Sequence, residues 1–261
     1  MRDTGENATD PVHDDIATVC AIAVIAICAT AFAHEAIGHG GACLLLGGRI
    51  AQLTNVYFQC SVHSRFIAPA GPAGNYLAGI LAWLAQFAIS RHAVRARLLA
   101  LLIMAFSLFW EAGYLISSMV AVHGDYVFAA RDFLGNPEWA WRAGGIVVGI
   151  LLYRLFIRTL AACLRSFATA IGRVPRLLRS AWLAALIAAC GAASLYAPGR
   201  VDAIAQAAGE IAAAFPLLYP YARIHAAENN TAPMVIRSRL WIGVAVVVFV
   251  LFAATLGRGI S

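Results

Sequence analysis

The feature that most limits how this chain can fold is a series of long apolar blocks separated by short polar segments. The 261 residues are 62% hydrophobic and only 12% charged, whereas a soluble domain carries about 25% charged residues. About 20 apolar residues are needed for one helical crossing of the hydrocarbon. We therefore predict an all-α membrane protein, a polytopic bundle of about six transmembrane helices. The candidate spans are 16–46, 70–90, 98–121, 143–164, 181–198 and 240–257.

Two segments between or beside these blocks have a different pattern. Residues 49–62 are rich in β-branched and aromatic residues and roughly alternate polar with apolar, which predicts a short strand or a β-hairpin after the first helix. The stretch 203–219 is apolar but contains Glu210 and Pro216, so we expect it to lie at the membrane interface. The sequence thus divides into a polar tail at 1–15, a functional half at 16–135, and helices of unassigned role at 136–261.

The charges and cysteines narrow the class of protein further. All 19 basic residues are arginine; with the abundant alanine, this is typical of a GC-rich bacterial genome and predicts a bacterial cell membrane. The arginines flank apolar blocks as topology signals do, so we expect no nucleic-acid partner. Five of the six cysteines lie in apolar blocks and none forms a C-x-x-C pair, which predicts small helix residues and no disulfide.

The segment His34-Glu35-Ala36-Ile37-Gly38-His39 carries the chemistry, and we interpret it as an H-E-x-x-H motif. On an α-helix, positions i and i+4 share one face, so both imidazoles can reach one metal ion. Glu35 can take a proton from water beside that ion. Each ionisable group buried in a span costs about 2.5–3.5 kcal/mol, which metal ligation offsets. The simpler alternative is a pair of histidines hydrogen-bonded between helices.

A catalytic zinc site uses three protein ligands and leaves a fourth position for water. The candidates for the third ligand are Glu111, Asp125 and Asp132. Asp125 follows Gly124 at the end of the third span and so returns to the membrane face of His39. Glu111 would lie about 21 Å away along a straight helix, far from that level. We expect Glu111 to be a carboxyl paired within the bundle. We therefore expect Asp125 to be the ligand, with Asp132 in reserve.

These motifs resemble the site-2 proteases, which are intramembrane zinc metalloproteases. The resemblance covers about residues 16–135 and includes the first motif, Gly124-Asp125, and the segment Gly71-Pro72-Ala73-Gly74-Asn75. It implies that His34, His39 and Asp125 hold Zn²⁺, that Glu35 is the catalytic base and that Asn75 helps to position substrate. The family's commoner Leu-Asp-Gly form and an inserted PDZ domain are absent from this sequence. Small residues around Asn75 also suit plain helix packing, with the asparagine as an interhelical hydrogen-bonding group.

Three functions are consistent with these residues. The first is an intramembrane zinc metalloprotease that cuts membrane protein substrates in or near their transmembrane segments, with an extended substrate pairing along 50–62. The second is a non-hydrolytic membrane metal-binding protein, either a transporter or an inactive regulatory relative. The third is a helical scaffold in the lipid bilayer without a metal. The placement of Glu35 beside His34 favours the first.

The orientation of the chain in the membrane is indicated by two arguments that disagree. Arg91, Arg95 and Arg97, with the arginines of 158–179, favour a cytoplasmic amino terminus by the positive-inside rule. The family resemblance implies an active site near the cytoplasm, which places the amino terminus outside. We follow the family arrangement in our prediction.

Overall fold

The computed structural model describes residues 14–167, 173–219 and 234–260; the polar tail predicted at 1–15 lies almost wholly outside this range. The described chain is mostly helical. Its α-helices are α1 (Ile16–Phe32), α2 (Gly41–Leu45), α3 (Ile67–Ala88), α4 (Val94–Ala121), α5 (Asp125–Leu134), α6 (Glu138–Leu164), α7 (Arg173–Ala193), α8 (Arg200–Ala212) and α9 (Arg239–Phe252).

Five helical segments in the described chain are long and apolar enough to cross a membrane, which indicates a membrane protein. The count of six spans is not confirmed. Helix α3 corresponds to the second predicted span, but it contains Pro72, Asn75 and Gln86 and is not among the five. The five are Ile16–Leu45, Val94–Ala121, Glu138–Leu164, Arg173–Ala193 and Arg239–Gly257.

The predicted hairpin is confirmed. Strands β1 (Ile50–Leu53) and β2 (Phe58–Cys60) pair antiparallel. The hydroxyl of Thr54 accepts hydrogen bonds from the backbone N–H groups of Val56 and Tyr57, which closes the turn. Leu53 also forms a bridge with Ile260, so β1 is flanked on both sides and β2 is the outer strand of the described sheet.

The helix ends form two opposite faces. At the N-terminal face, which we define as residues 14–18, 89–97, 158–167, 173–179 and 234–239, the Asp15 N–H donates to the Val235 carbonyl at 2.8 Å. Asp14 pairs there with Arg173. At the site face, defined as 46–66, 122–137, 194–200 and 257–260, Phe66 stacks edge-on against Phe133. The continuous helical segment Ile16–Leu45 runs from the first face to the second.

The hairpin is held to the end of the first helical segment by a disulfide between Cys43 and Cys60, whose Cα atoms are 5.9 Å apart. The prediction of no disulfide was therefore wrong. The reason is that β2 folds back beside α2, so two cysteines 17 residues apart in sequence become neighbours. Cys60 was the one cysteine outside the apolar blocks, and this position was the available signal.

Candidate metal site

The two motif histidines are five positions apart in the sequence, so the interpretation as H-E-x-x-H was wrong by one residue. On a regular α-helix, side chains five positions apart point about 140° away from each other. The segment Ala33–Gly40 is instead π-helical, and its i→i+5 hydrogen bonding brings residues five apart onto one face. The ring centroids of His34 and His39 lie 5.0 Å apart. The π-helical segment therefore places both imidazoles on one face, although their spacing of five positions would separate them on an α-helix.

Glycines let helix α3 pack directly against this π-helical segment. A Cβ added at Gly38 would lie 2.5 Å from the Ala70 carbonyl oxygen, and one at Gly74 would lie 2.5 Å from the Ala33 carbonyl oxygen. A Cβ at Gly71 would collide with Nε2 of His39 and lie 2.7 Å from Nε2 of His34. Gly38 of the π-helical segment and Gly71 and Gly74 of α3 therefore allow the α3 backbone to lie against both imidazoles.

Each imidazole is also held by an aromatic ring. His34 stacks on Trp110 of α4, with a centroid distance of 5.0 Å and an interplanar angle of 8°. His39 stacks on Phe58 of β2 at 5.4 Å and 16°. Neither aromatic residue was predicted to belong to the site, because nothing in the sequence connects α4 or the hairpin with these rings. Together they fix the planes of the two histidines.

A sharp reversal after α4 brings Asp125 to the histidines. Val122 and Gly124 both have positive φ values, of 59° and 99°; a β-branched residue rarely adopts such a value. The returning chain places the backbone N–H of Asp125 3.0 Å from the Tyr114 hydroxyl, which in turn donates to Asp125 Oδ2 at 3.2 Å. A Cβ at Gly124 would lie 2.5 Å from the same hydroxyl, so glycine is required at the reversal.

The predicted metal ligands His34, His39 and Asp125 converge into a group that could hold a metal ion. Asp125 Oδ2 is 3.4 Å from Nε2 of His34 and 3.4 Å from Nε2 of His39. A tetrahedral ion with ligands at about 2.0–2.1 Å has ligand–ligand distances of about 3.4 Å. The two Oδ2–Nε2 distances therefore match those expected around an ion of this size.

The Nδ1 atoms of both histidines are engaged by partners on the other side of each ring, so the two Nε2 atoms are the ones that face Asp125. Nδ1 of His39 donates to the Ile67 carbonyl at 2.8 Å. Nδ1 of His34 lies 2.9 Å from Oε1 of Glu111. Hydrogen bonds of this kind fix the tautomer and orientation of metal-binding histidines.

The two histidines also change the pKa of Asp125. Burial alone would raise the pKa of its carboxyl, but hydrogen bonds to His34 and His39 lower it well below its ordinary value.

The position of Glu111 differs from the one expected from the sequence. Its distance of about 21 Å from the site assumed a straight helix up to Asp125, whereas the reversal returns Asp125 to the level of Tyr114. Glu111 is completely buried and is paired within the bundle, as predicted. Besides His34, its carboxylate accepts hydrogen bonds from Asn75 Nδ2 at 2.8 Å and from the Tyr126 hydroxyl at 2.9 Å.

Asn75 therefore lies behind the histidines. It is completely buried, its amide nitrogen bonds Glu111, and it is not among the residues that line the adjoining cavity. Its Oδ1 atom has no hydrogen-bond partner among the described residues. The predicted contact of Asn75 with substrate stays a prediction.

A cavity of about 590 Å³ adjoins the three ligands and opens at the site face. Glu35 is 4% exposed and lines this cavity, and no hydrogen bond from the described residues reaches its carboxylate. His123 and the reserve candidate Asp132 line the outer part of the cavity and do not join the metal-binding group. Glu35 therefore borders the cavity beside the three candidate metal ligands.

Helix α8 contributes Gln206 and Glu210 to the wall of this cavity, although the sequence placed 203–219 at the membrane interface. Burial raises the pKa of Glu210 well above its ordinary value, and the charge of Glu35 raises it further. A carboxyl within an apolar, alanine-rich stretch was a signal that could have connected this helix with the site.

Comparison with models of known families, with curated proteins and with solved structures gave no match.

Proposed function

We propose that this chain is an intramembrane zinc metalloprotease, a multi-pass protein of a bacterial cell membrane. The observation that carries the proposal is the group of His34, His39 and Asp125 with Glu35 beside it. All but Asp125 belong to a 30-residue apolar segment long enough to cross a membrane. Ionisable residues at such positions usually serve function and face partners or a cavity.

The proposed metal is zinc, since two imidazoles and one carboxylate with room for a further ligand are typical of catalytic zinc sites. A zinc ion held there would supply Lewis-acid chemistry, activating water near neutral pH and polarising a peptide carbonyl. Glu111, Trp110 and Phe58 would keep the imidazoles in the orientation that this requires. The site-2 protease resemblance supports the assignment, although the family motif has one residue fewer between the histidines.

In the proposed reaction, Glu35 acts as general base and then as general acid. Its carboxylate lines the cavity without a hydrogen-bond partner among the described residues, so it can accept the proton of an attacking water. It would then deliver that proton to the departing amine as the peptide bond breaks. Among the residues that line the cavity, Glu35 is the carboxyl adjacent in sequence to a predicted metal ligand.

The proposed substrates are transmembrane segments of other proteins. The peptide groups of such a segment are hydrogen-bonded within its own helix, so it must unwind before attack. Strand β2 offers a place for the unwound segment, because it is the outer strand of the described sheet and its residues Phe58 and Cys60 line the cavity. An extended chain added to such an edge gains backbone hydrogen bonds.

The experiment that tests this function measures metal content and proteolysis together. The purified full-length chain is incubated with a set of single-span membrane proteins labelled at both ends. Glu35→Gln should retain zinc and lose cleavage, because an amide keeps the size of the side chain but cannot accept the proton. Glu138→Gln is the matched control, since Glu138 is paired with Arg131 on the surface.

The rival functions give different results in the same experiment. Zinc in the wild type without cleavage of any substrate, in vitro or in cells, would favour the non-hydrolytic metal binder. Absence of bound zinc after reconstitution with the ion would exclude both metal-dependent functions and favour a helical scaffold without a metal. Substantial cleavage by Glu35→Gln would refute the proposed role of this residue.

A further inference from the structure

The disulfide and the arginine distribution together indicate which side of the membrane the candidate metal site faces. We infer that the site opens to the non-cytoplasmic, oxidising side, and that its substrates are membrane proteins whose scissile peptide lies near that side. The orientation stands independently of catalysis, whereas the substrate class rests on the proposed protease function. This orientation is opposite to the one that the family resemblance implies.

The first observation is the position of the disulfide. Cys43 lies in the last turn of the helical segment Ile16–Leu45 and Cys60 lies in β2, so the bond belongs to the site face. Cys60 also lines the cavity that contains His34 and His39. Disulfides persist in oxidising compartments and are rare in the cytosol, where thiols are kept reduced. A stable bond at this position therefore places the mouth of the cavity outside the cytoplasm.

The second observation is independent of the first. Cytoplasmic loops of membrane proteins carry an excess of basic residues close to the ends of their spans. Among the described residues, ten arginines lie at the N-terminal face and six lie at or near the site face, while Arg154 lies within α6. The first group is Arg91, Arg95, Arg97, Arg158, Arg165, Arg173, Arg176, Arg179, Arg237 and Arg239, and the second is Arg49, Arg65, Arg131, Arg142, Arg200 and Arg258.

The two observations agree once the fold is known. The contacts of Asp14 with Arg173 and of Asp15 with Val235 bring three of these segments together at the N-terminal face. Phe167 connects the other two, because its carbonyl accepts a hydrogen bond from Arg173 and its ring lies under the guanidinium of Arg97. The continuous helical segment Ile16–Leu45 then carries the chain to the opposite face, where the disulfide lies. The face with the arginine excess is therefore cytoplasmic, and the face with the disulfide, the hairpin and the cavity mouth is not.

This orientation limits where a substrate can be cut. The cavity is lined at its outer part by His63, Ser64 and His123, which belong to the site face. A peptide that reaches Glu35 from this direction enters from the outer leaflet or from the solution beyond it. The cut would therefore fall in the outer part of a substrate span or in the segment directly outside it.

The test uses two matched cysteine variants of the full-length chain in intact cells. The variants are Ala197→Cys and Ala93→Cys. Ala197 lies at the site face, Ala93 lies at the N-terminal face, and both residues are exposed. A membrane-impermeant maleimide is applied before and after permeabilisation. The wild-type chain gives the background, which is the labelling of its native free thiols Cys20, Cys28, Cys163 and Cys190.

We expect Ala197→Cys to be labelled in intact cells and Ala93→Cys to be labelled only after permeabilisation. In parallel, Cys43 and Cys60 of the wild type should react with a maleimide only after denaturation and reduction. The reverse labelling pattern, equal labelling of both variants in intact cells, or free thiols at Cys43 and Cys60 would each overturn the orientation.

The substrate class has its own measurement. Mass spectrometry of the products locates the cut in a labelled single-span substrate of known orientation. A cut in the cytoplasmic half would refute the substrate class even where the labelling result holds. If labelling gives the expected pattern and no substrate is cut, the protease function fails while the orientation remains.

Discussion

Oε1 of Glu111 lies 2.9 Å from Nδ1 of His34, and the opposite ring nitrogen of the same imidazole faces Asp125. The buried carboxylate thus holds the proton-bearing side of the ring while the other nitrogen remains available to a metal. Glu111 is in turn bonded by Asn75 and Tyr126. The metal affinity of the site should therefore depend on a residue that does not itself bind the ion.

The first prediction follows from this contact. Glu111→Gln should lower zinc affinity by about 10–100-fold, the usual cost of losing an outer partner of a histidine ligand. The measurement is competition with a zinc-binding dye on the purified full-length chain, with Glu138→Gln as control. Unchanged affinity would show that Glu111 only fills space in the bundle. Circular dichroism checks that the variant keeps its helices.

The second prediction separates two aspartates that line the same cavity. Asp125→Asn removes the carboxylate that lies 3.4 Å from both Nε2 atoms and should weaken zinc binding more than Glu111→Gln does. Asp132→Asn should leave the affinity unchanged, because Asp132 is outside the metal-binding group. The same dye competition measures both variants. An equal loss in the two would mean that cavity charge in general, and not ligation, attracts the ion.

The third prediction concerns the approach of α3 to the imidazoles. Gly71→Ala would place a methyl group against Nε2 of both histidines, so we expect loss of measurable zinc binding. Gly41→Ala on the adjoining helix meets nothing within 4 Å and serves as control. Since alanine favours a helix over glycine by about 0.5–1 kcal/mol, the control should be at least as stable as the wild type. Zinc binding by Gly71→Ala at wild-type strength would contradict the packing described for α3.

Much of the site was predictable from residue types and their order along the chain. The apolar blocks predicted the helices, and the alternating segment predicted the hairpin, because each pattern reports a local periodicity. Asp125 was a reasonable candidate because Gly124 at a span end allows a reversal. These inferences need only local sequence and the thickness of a membrane.

The features that were not predictable depend on contacts between distant segments. The stacking of Trp110 and Phe58 on the histidines requires knowing that α4 and β2 flank the same helix. The disulfide depends on the fold-back of β2. The distance of Glu111 from the site was overestimated because the sequence does not show that the chain turns back after α4. The reversal includes a positive φ at Val122, which is not expected for a β-branched residue.

The π-helical turn has a consequence for how proteins of this kind are found by sequence searching. Inserting one residue into an α-helix rotates everything beyond it by about 100°, whereas a π turn absorbs the insertion within a few residues. A chain can therefore gain a residue between His34 and His39 and keep both imidazoles on one face. A search for histidines at a fixed spacing of four passes over such chains. One that also accepts H-E-x-x-x-H within an apolar stretch, followed by a Gly-Pro-x-x-Asn segment, would recover them.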